Sequence, residues 1–316
     1  MIDAARPRAE KGRAPGRAPA DRTVIAPLGV SAFPFEEPPD AVVAPDGTRF
    51  FDRDADGSLS HMAPRGGRLP EATYRDPRSL LFVPRGFRPG APAALVLFLH
   101  GNQATLSRDV ARRQRVPAQV EASHANVLLV APQMATDALD SSAGNFWKPG
   151  FLDRYLAAAC ARLATMPGVG LDAEALENLP VVIVAYSGGY LPAAFSLDFE
   201  RQQGRSRIDG VILLDALFGE EAKFAAWITA EHARSFFVSV FSKASADLDA
   251  KLERDIAPVP VEHDLPARLG PGVVAFVAAA NAVHDDFVTA AYKRDPLADL
   301  LARIDLPRLA GAGAPR

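Results

Sequence analysis

The chain has 316 residues, 48% of them hydrophobic and 23% charged, with a net charge of −3. That mix excludes collagen-like, coiled-coil and disulfide-framework classes, and it argues against nucleic acid as a main partner, since phosphate binding needs a basic surface. The single cysteine, Cys160, cannot make an internal bridge, which fits a cytoplasmic protein.

In chain order, residues 1–22 carry Arg6, Arg8, Lys11, Arg13, Arg17 and Arg22 among Ala, Pro and Gly. They read as a disordered segment. No apolar core follows these charges, so the segment is not a signal peptide as written; export is expected only if the start is misassigned. Of the 27 prolines, 14 fall in residues 1–92. Residues 23–92 therefore read as a β-rich lead-in of short strands and turns packed on the main domain, with a strand at Ser79–Val83 ended by Pro84.

From residue 93 to 316 the rhythm becomes apolar strand, loop, helix. Strands are predicted at Leu95–Leu99, Val127–Val130, Val181–Ala185, Gly210–Leu214, Phe236–Phe241 and Val273–Ala279. Their apolar runs are continuous rather than alternating, which marks strands buried on both faces of a parallel sheet. Helices are predicted at Leu106–Gln119, Phe151–Met166, Tyr190–Phe199, Glu220–Ala230, Ala246–Asp255 and His284–Leu300. The expected fold is α/β: a doubly wound, mostly parallel sheet flanked by helices, in one domain. No apolar run approaches the ~20 residues of a membrane-spanning helix. Ligands of such sheets bind at the carboxyl ends of the strands, so the residues following each strand carry the chemistry.

Three of these positions stand out. In Ala185-Tyr-Ser-Gly-Gly189 a strand runs into Ser187 and then into a helix. Small neighbours allow a sharp turn that exposes the serine hydroxyl beside the helix's first N–H groups. The same residues also suit a plain strand-to-helix turn. His100-Gly101-Asn102 follows the first strand of the domain, where a second backbone donor for an oxyanion belongs. His284 follows the last strand and is the last of six histidines, which suits a general base in the order serine, acid, histidine. The acid is open between Asp215, directly after Leu214, and Asp247 or Asp249, in a more flexible polar stretch after Phe241 that also holds Ser245. Asp215 is preferred because a strand end holds a carboxylate better than a loop does.

Together, His100-Gly101, Ala185-Tyr-Ser-Gly-Gly189, the Asp after a strand and His284 resemble the α/β-hydrolase superfamily over roughly residues 78–300. The stretch Leu81–Val96 resembles the corresponding lead-in of feruloyl-esterase and polyhydroxybutyrate-depolymerase-like esterases. Ala185 replaces the usual first glycine, and the Gly-rich loop of hormone-sensitive-type lipases is missing. The resemblance implies a serine esterase acting on a small acyl substrate through Ser187, His284 and Asp215, with Asn102 and Gly188 as oxyanion donors and no cofactor. The other reading is a non-catalytic binding or scaffold protein on the same fold. A nucleotide-binding reading is poor, because no Gly-x-Gly-x-x-Gly or phosphate loop follows the first strand.

Weaker features complete the reading. Tyr186 and Trp147 are candidate walls of a substrate pocket. No long insertion separates Tyr190 from Gly210, which argues against a large lid. Asp52, Asp54 and Asp56 match the start of a calcium loop, but the twelfth position is Ala63 where such a loop needs Glu, so an acidic turn is the better reading and no metal site is expected. Cys160 sits in an Ala-rich run and reads as a small core residue.

Overall fold

A computed structural model of the protein describes residues 22–204 and 207–312. Apart from Arg22, the segment expected to be disordered lies outside them.

Continuous apolar strands need cover on both faces, and this organises the chain. After β1 (Thr23–Pro27), a small antiparallel sheet forms from β2 (Asp52–Arg53), β3 (Leu59–Ala63) and β4 (Gly67–Pro70). The main sheet takes β1, β5 (Arg78–Phe82), β6 (Ala94–Leu99), β7 (Val127–Pro132), β8 (Val181–Tyr186), β9 (Ile208–Leu214), β10 (Phe236–Phe241) and β11 (Val274–Ala278). Its eight strands run in the order β1-β5-β7-β6-β8-β9-β10-β11. β5 is antiparallel to both its neighbours, and every pairing from β7 to β11 is parallel. The lead-in thus supplies two strands of the main sheet as well as the small one.

Alternate residues of each central strand enter two different cores. Leu95, Leu97, Ile183 and Ala185 join the helices α2 (Phe151–Ala164), α4 (Tyr190–Gln202), α5 (Glu221–Glu231) and α6 (Ala246–Asp255). Val96, Phe98, Val182 and Val184 join α1 (Val116–Ser123), α7 (Pro296–Ala302) and α8 (Leu306–Ala312). A further short helix, α3 (Ala173–Glu177), precedes β8 and was not predicted. Each fully buried aliphatic side chain contributes roughly 1.5–3 kcal/mol, so the paired cores hold the strand ends rigidly. Cys160 is fully buried in α2, and burial pushes its thiol pKa up to about 11.

Two predicted helices differ from the observed chain. Leu106–Gln119 is broken: a wide helical turn covers Leu106–Arg113, Arg115 adopts a left-handed φ of 55°, and α1 then starts with Pro117 in its first turn. Proline offers no N–H to continue the preceding helix. His284–Leu300 is likewise only a turn at His284–Asp286, followed by irregular chain until α7. Pro296 opens α7 and disfavours helical geometry in the residue before it, and Asp295 takes a φ of 54°. The acidic run Asp52–Gly57 spans strand β2 and the turn of the β2–β3 hairpin from Asp54 on, where Asp54 is paired with Arg68.

Candidate active site

Three strand ends converge at the carboxyl edge of the sheet. β8 stops at Tyr186, and Ser187 follows with a φ of 51°, a left-handed conformation that costs a non-glycine residue energy. A tight turn over Ser187–Gly189 leads into α4. The glycines answer to close packing against the end of β6. A methyl group at Gly188 would lie 2.1 Å from Asn102 Oδ1, and one at Gly189 would lie 2.2 Å from the Leu99 carbonyl oxygen. The loop after β6 is tied down from within. The fully enclosed His100 bonds the Gly101 carbonyl through Nδ1 and accepts the Met134 N–H at Nε2. Burial lowers the pKa of His100, which keeps it neutral in this role.

β9 ends at Leu214, and Asp215 follows with a φ of 45° while its N–H still bonds Val240 of β10. Its side chain is 0% exposed. Oδ1 accepts the Ser242 N–H at 2.8 Å and the Ser245 hydroxyl at 3.2 Å. Oδ2 accepts the Ser242 hydroxyl at 2.9 Å and His284 Nδ1 at 2.6 Å. Burial alone would raise the pKa of Asp215, but the hydrogen bonds from His284 and Ser242 outweigh it and hold the carboxyl below its ordinary value.

His284 opens the turn after β11 and reaches both partners. Its Nε2 lies 2.7 Å from Ser187 Oγ. An ionised carboxylate can only accept, so Nδ1 carries the proton and the Nε2 lone pair faces the serine hydroxyl. Tyr186 stacks beside the imidazole at 5.4 Å between centroids, and its hydroxyl donates to the His284 carbonyl. Phe218 meets the ring edge-on at 5.6 Å, and the Arg65 guanidinium lies over Phe218.

Counted along the chain without the small sheet, the strand order is 1-2-4-3-5-6-7-8, with strand 2 reversed and the serine turn after strand 5. This is the α/β-hydrolase fold. In such a sheet the serine turn projects its hydroxyl above the strand ends, and the chain order of the three groups is serine, acid, histidine.

No family model matches the chain, and no curated protein matches it. Solved structures of similar shape include the feruloyl esterase module from Clostridium thermocellum complexed with sinapinate, at 12% identity and a TM-score of 0.46, covering 87% of this chain and 94% of that one. An S-formylglutathione hydrolase from Agrobacterium tumefaciens has 12% identity and a TM-score of 0.46, with 80% and 94% covered. A dienelactone hydrolase from Anabaena variabilis has 12% identity and a TM-score of 0.40, with 80% and 96% covered. The fold assignment rests on the strand order, not on these superpositions.

Ser187, His284 and Asp215 form one hydrogen-bonded line, and Asn102 lies against Gly188, with its Oδ1 accepting the Ser141 hydroxyl. Tyr186 lies beside this line. Trp147 packs elsewhere in its contacts, stacked on Phe35 and edge-on to Phe50 in an aromatic cluster of the lead-in. The stretch after β10 is firmer than its polar composition suggests: Ser242, Ser245 and Asp249 are buried, and only Asp247 among the candidate acids is exposed. Asp249 bonds Ser239 and Ser245. Ser242, Ser245 and Phe218 were not assigned to the site from the sequence. The serine spacing after a strand end was the available signal for the first two. Among the described residues, no helix is long and apolar enough to cross a membrane.

Proposed function

We propose that the protein is a serine hydrolase that cleaves a carboxylic ester by way of an acyl-enzyme. The observation that supports this reading is the line Ser187 Oγ to His284 Nε2 at 2.7 Å and His284 Nδ1 to Asp215 Oδ2 at 2.6 Å, mounted on a strained turn above the sheet. A serine hydroxyl is a weak nucleophile until a neighbouring base takes its proton. Ser187 attacks the acyl carbon as its proton passes to His284 Nε2. The imidazolium that forms is stabilised and oriented by Asp215, which stays ionised because its hydrogen bonds lower its pKa. The backbone N–H groups of Asn102 and Gly188 hold the tetrahedral oxyanion. His284 returns the proton to the leaving oxygen, and water then attacks the acyl-enzyme with the same base assisting. This chemistry uses no cofactor.

A fluorophosphonate probe tests the proposal on the intact protein. Expected is covalent labelling at Ser187, lost in Ser187→Ala. Folded wild-type protein that takes no label overturns the enzyme reading and favours a binding or scaffold role on the same fold. Matched ester and amide substrates then test the bond class, with the ester expected to turn over faster.

A further inference from the structure

The line of hydrogen bonds does not end at Asp215. Behind it lies a second carboxylate, Asp249 on α6, only 1% exposed. Ser239 of β10 bonds Asp249 Oδ1 at 2.5 Å, and Ser245 Oγ lies 2.8 Å from Asp249 Oδ2. The same Ser245 Oγ lies 3.2 Å from Asp215 Oδ1. Ser245 therefore stands between two buried carboxyl groups with a single hydroxyl proton to give.

Counting protons resolves this arrangement. If both carboxyls were ionised, Ser245 could satisfy one oxygen, and the other would face a lone pair. If Asp249 carries a proton on Oδ2, it donates to Ser245 Oγ, and the Ser245 hydroxyl donates to Asp215 Oδ1. Every oxygen then has a partner. The groups facing Asp249 agree with the neutral form. β9 brings the Asp215 charge at its end, β10 brings the Ser239 hydroxyl, and β11 brings the apolar Val274–Ala278. α5 brings Glu221, which is taken by Lys251 on the outer side of α6; Lys251 also pairs with Asp255, and Glu253 pairs with His263. No cation is set against Asp249 among these groups. Burial is the largest influence on its pKa and pushes it up to about 7; the Asp215 charge acts the same way, while the two serine hydroxyls oppose it.

We infer that Asp249, held as a neutral acid, is a positioning residue for the Ser187 site: through Ser245 it fixes the orientation of the Asp215 carboxylate that holds His284. When Asp249 ionises, Ser245 turns its proton to Asp249, and Asp215 loses one of its four donors. No bond to substrate is involved; the effect passes through Ser245 and Asp215. This inference rests on the serine-hydrolase reading above.

The test uses full-length wild type, Asp249→Asn, Asp249→Ala and Ser245→Ala, with a short-chain p-nitrophenyl ester from pH 5 to 9. An asparagine amide mimics the neutral acid, since its oxygen accepts from Ser239 and its N–H donates to Ser245. Expected for Asp249→Asn is kcat within about threefold of wild type at pH 6, while at higher pH wild type should lose kcat as Asp249 ionises and the variant should not. Asp249→Ala and Ser245→Ala should lose about tenfold in kcat with KM little changed, by analogy with other residues that orient a reacting group from behind. If the alanine variants do not fold, the Asp249→Asn profile decides alone. A profile that superimposes on wild type across the range overturns the inference. Infrared spectra give a readout independent of turnover: a protonated-carboxyl band at pH 6 should vanish in Asp249→Asn, and its presence unchanged in the variant also overturns the inference. If wild type neither turns over esters nor takes the fluorophosphonate label, the serine-hydrolase reading fails instead, a result separate from these profiles.

Discussion

Asp215→Asn is the most searching substitution at this site. The carboxylate accepts from four donors, and an amide of the same shape offers one oxygen and one NH2 group. Oδ1 must stay an oxygen, because it accepts a backbone N–H, from Ser242, which cannot turn away. The amide nitrogen is therefore driven into the Oδ2 place, facing the Ser242 hydroxyl and His284 Nδ1. The hydroxyl can rotate and accept. The imidazole can only comply by moving its proton to Nε2, which removes the acceptor for the Ser187 hydroxyl. The base is then in the wrong tautomer, and kcat should fall by about 10⁴. Stability should fall by only about 1–3 kcal/mol, the worth of one buried hydrogen bond to a charged group. Initial rates with a chromogenic ester measure the first figure, and urea unfolding measures the second. A folded variant with kcat within tenfold of wild type would refute the assignment of Asp215 to His284.

Other outcomes follow from the same geometry. Ser187→Ala and His284→Ala should each lower turnover by about 10⁶ with little change in urea midpoint, since groups acting as a unit fail together; a rate near wild type for either removes it from the mechanism. Asp247→Asn should change kcat by less than about twofold, because Asp247 is exposed; a large loss would move the acid away from Asp215. Gly188→Ala should lower kcat, because the added methyl displaces the Asn102 side chain beside the oxyanion position; unchanged kcat would mean that the Asn102 loop yields freely. Asp249 has its folded pKa raised, from an ordinary 3.8 to about 7. Between those values the folded state binds more protons than the unfolded chain, so its share of stability is full at low pH and is lost as pH rises, on the order of 4 kcal/mol by pH 8. Urea unfolding should therefore show Asp249→Asn gaining clearly more over wild type at pH 8 than at pH 5, and an equal difference at both pH values would contradict this.

Much of this protein was legible in one dimension because burial leaves a local mark. A strand covered on both faces must be apolar at nearly every position, so β6 to β11 announced themselves as largely continuous apolar runs, and their alternation with helices implied a mostly parallel sheet. The serine turn was legible for the same local reason: small residues must follow Ser187 where α4 closes on β6, and Ala185-Tyr-Ser-Gly-Gly189 has them. What the sequence could not decide was which polar groups share a space. Asp215, Asp247 and Asp249 look alike in sequence, and helix α6 turns one of them to solvent and two residues later buries another. The helices expected at Leu106–Gln119 and His284–Leu300 failed where Pro117 and Pro296 reset the backbone, a local rule that their apolar pattern concealed. The link from Asp249 through Ser245 to Asp215 was out of reach altogether. It depends on one hydroxyl lying between two carboxyl groups from different elements, and only the packing of α6 against the ends of β9 and β10 sets those distances.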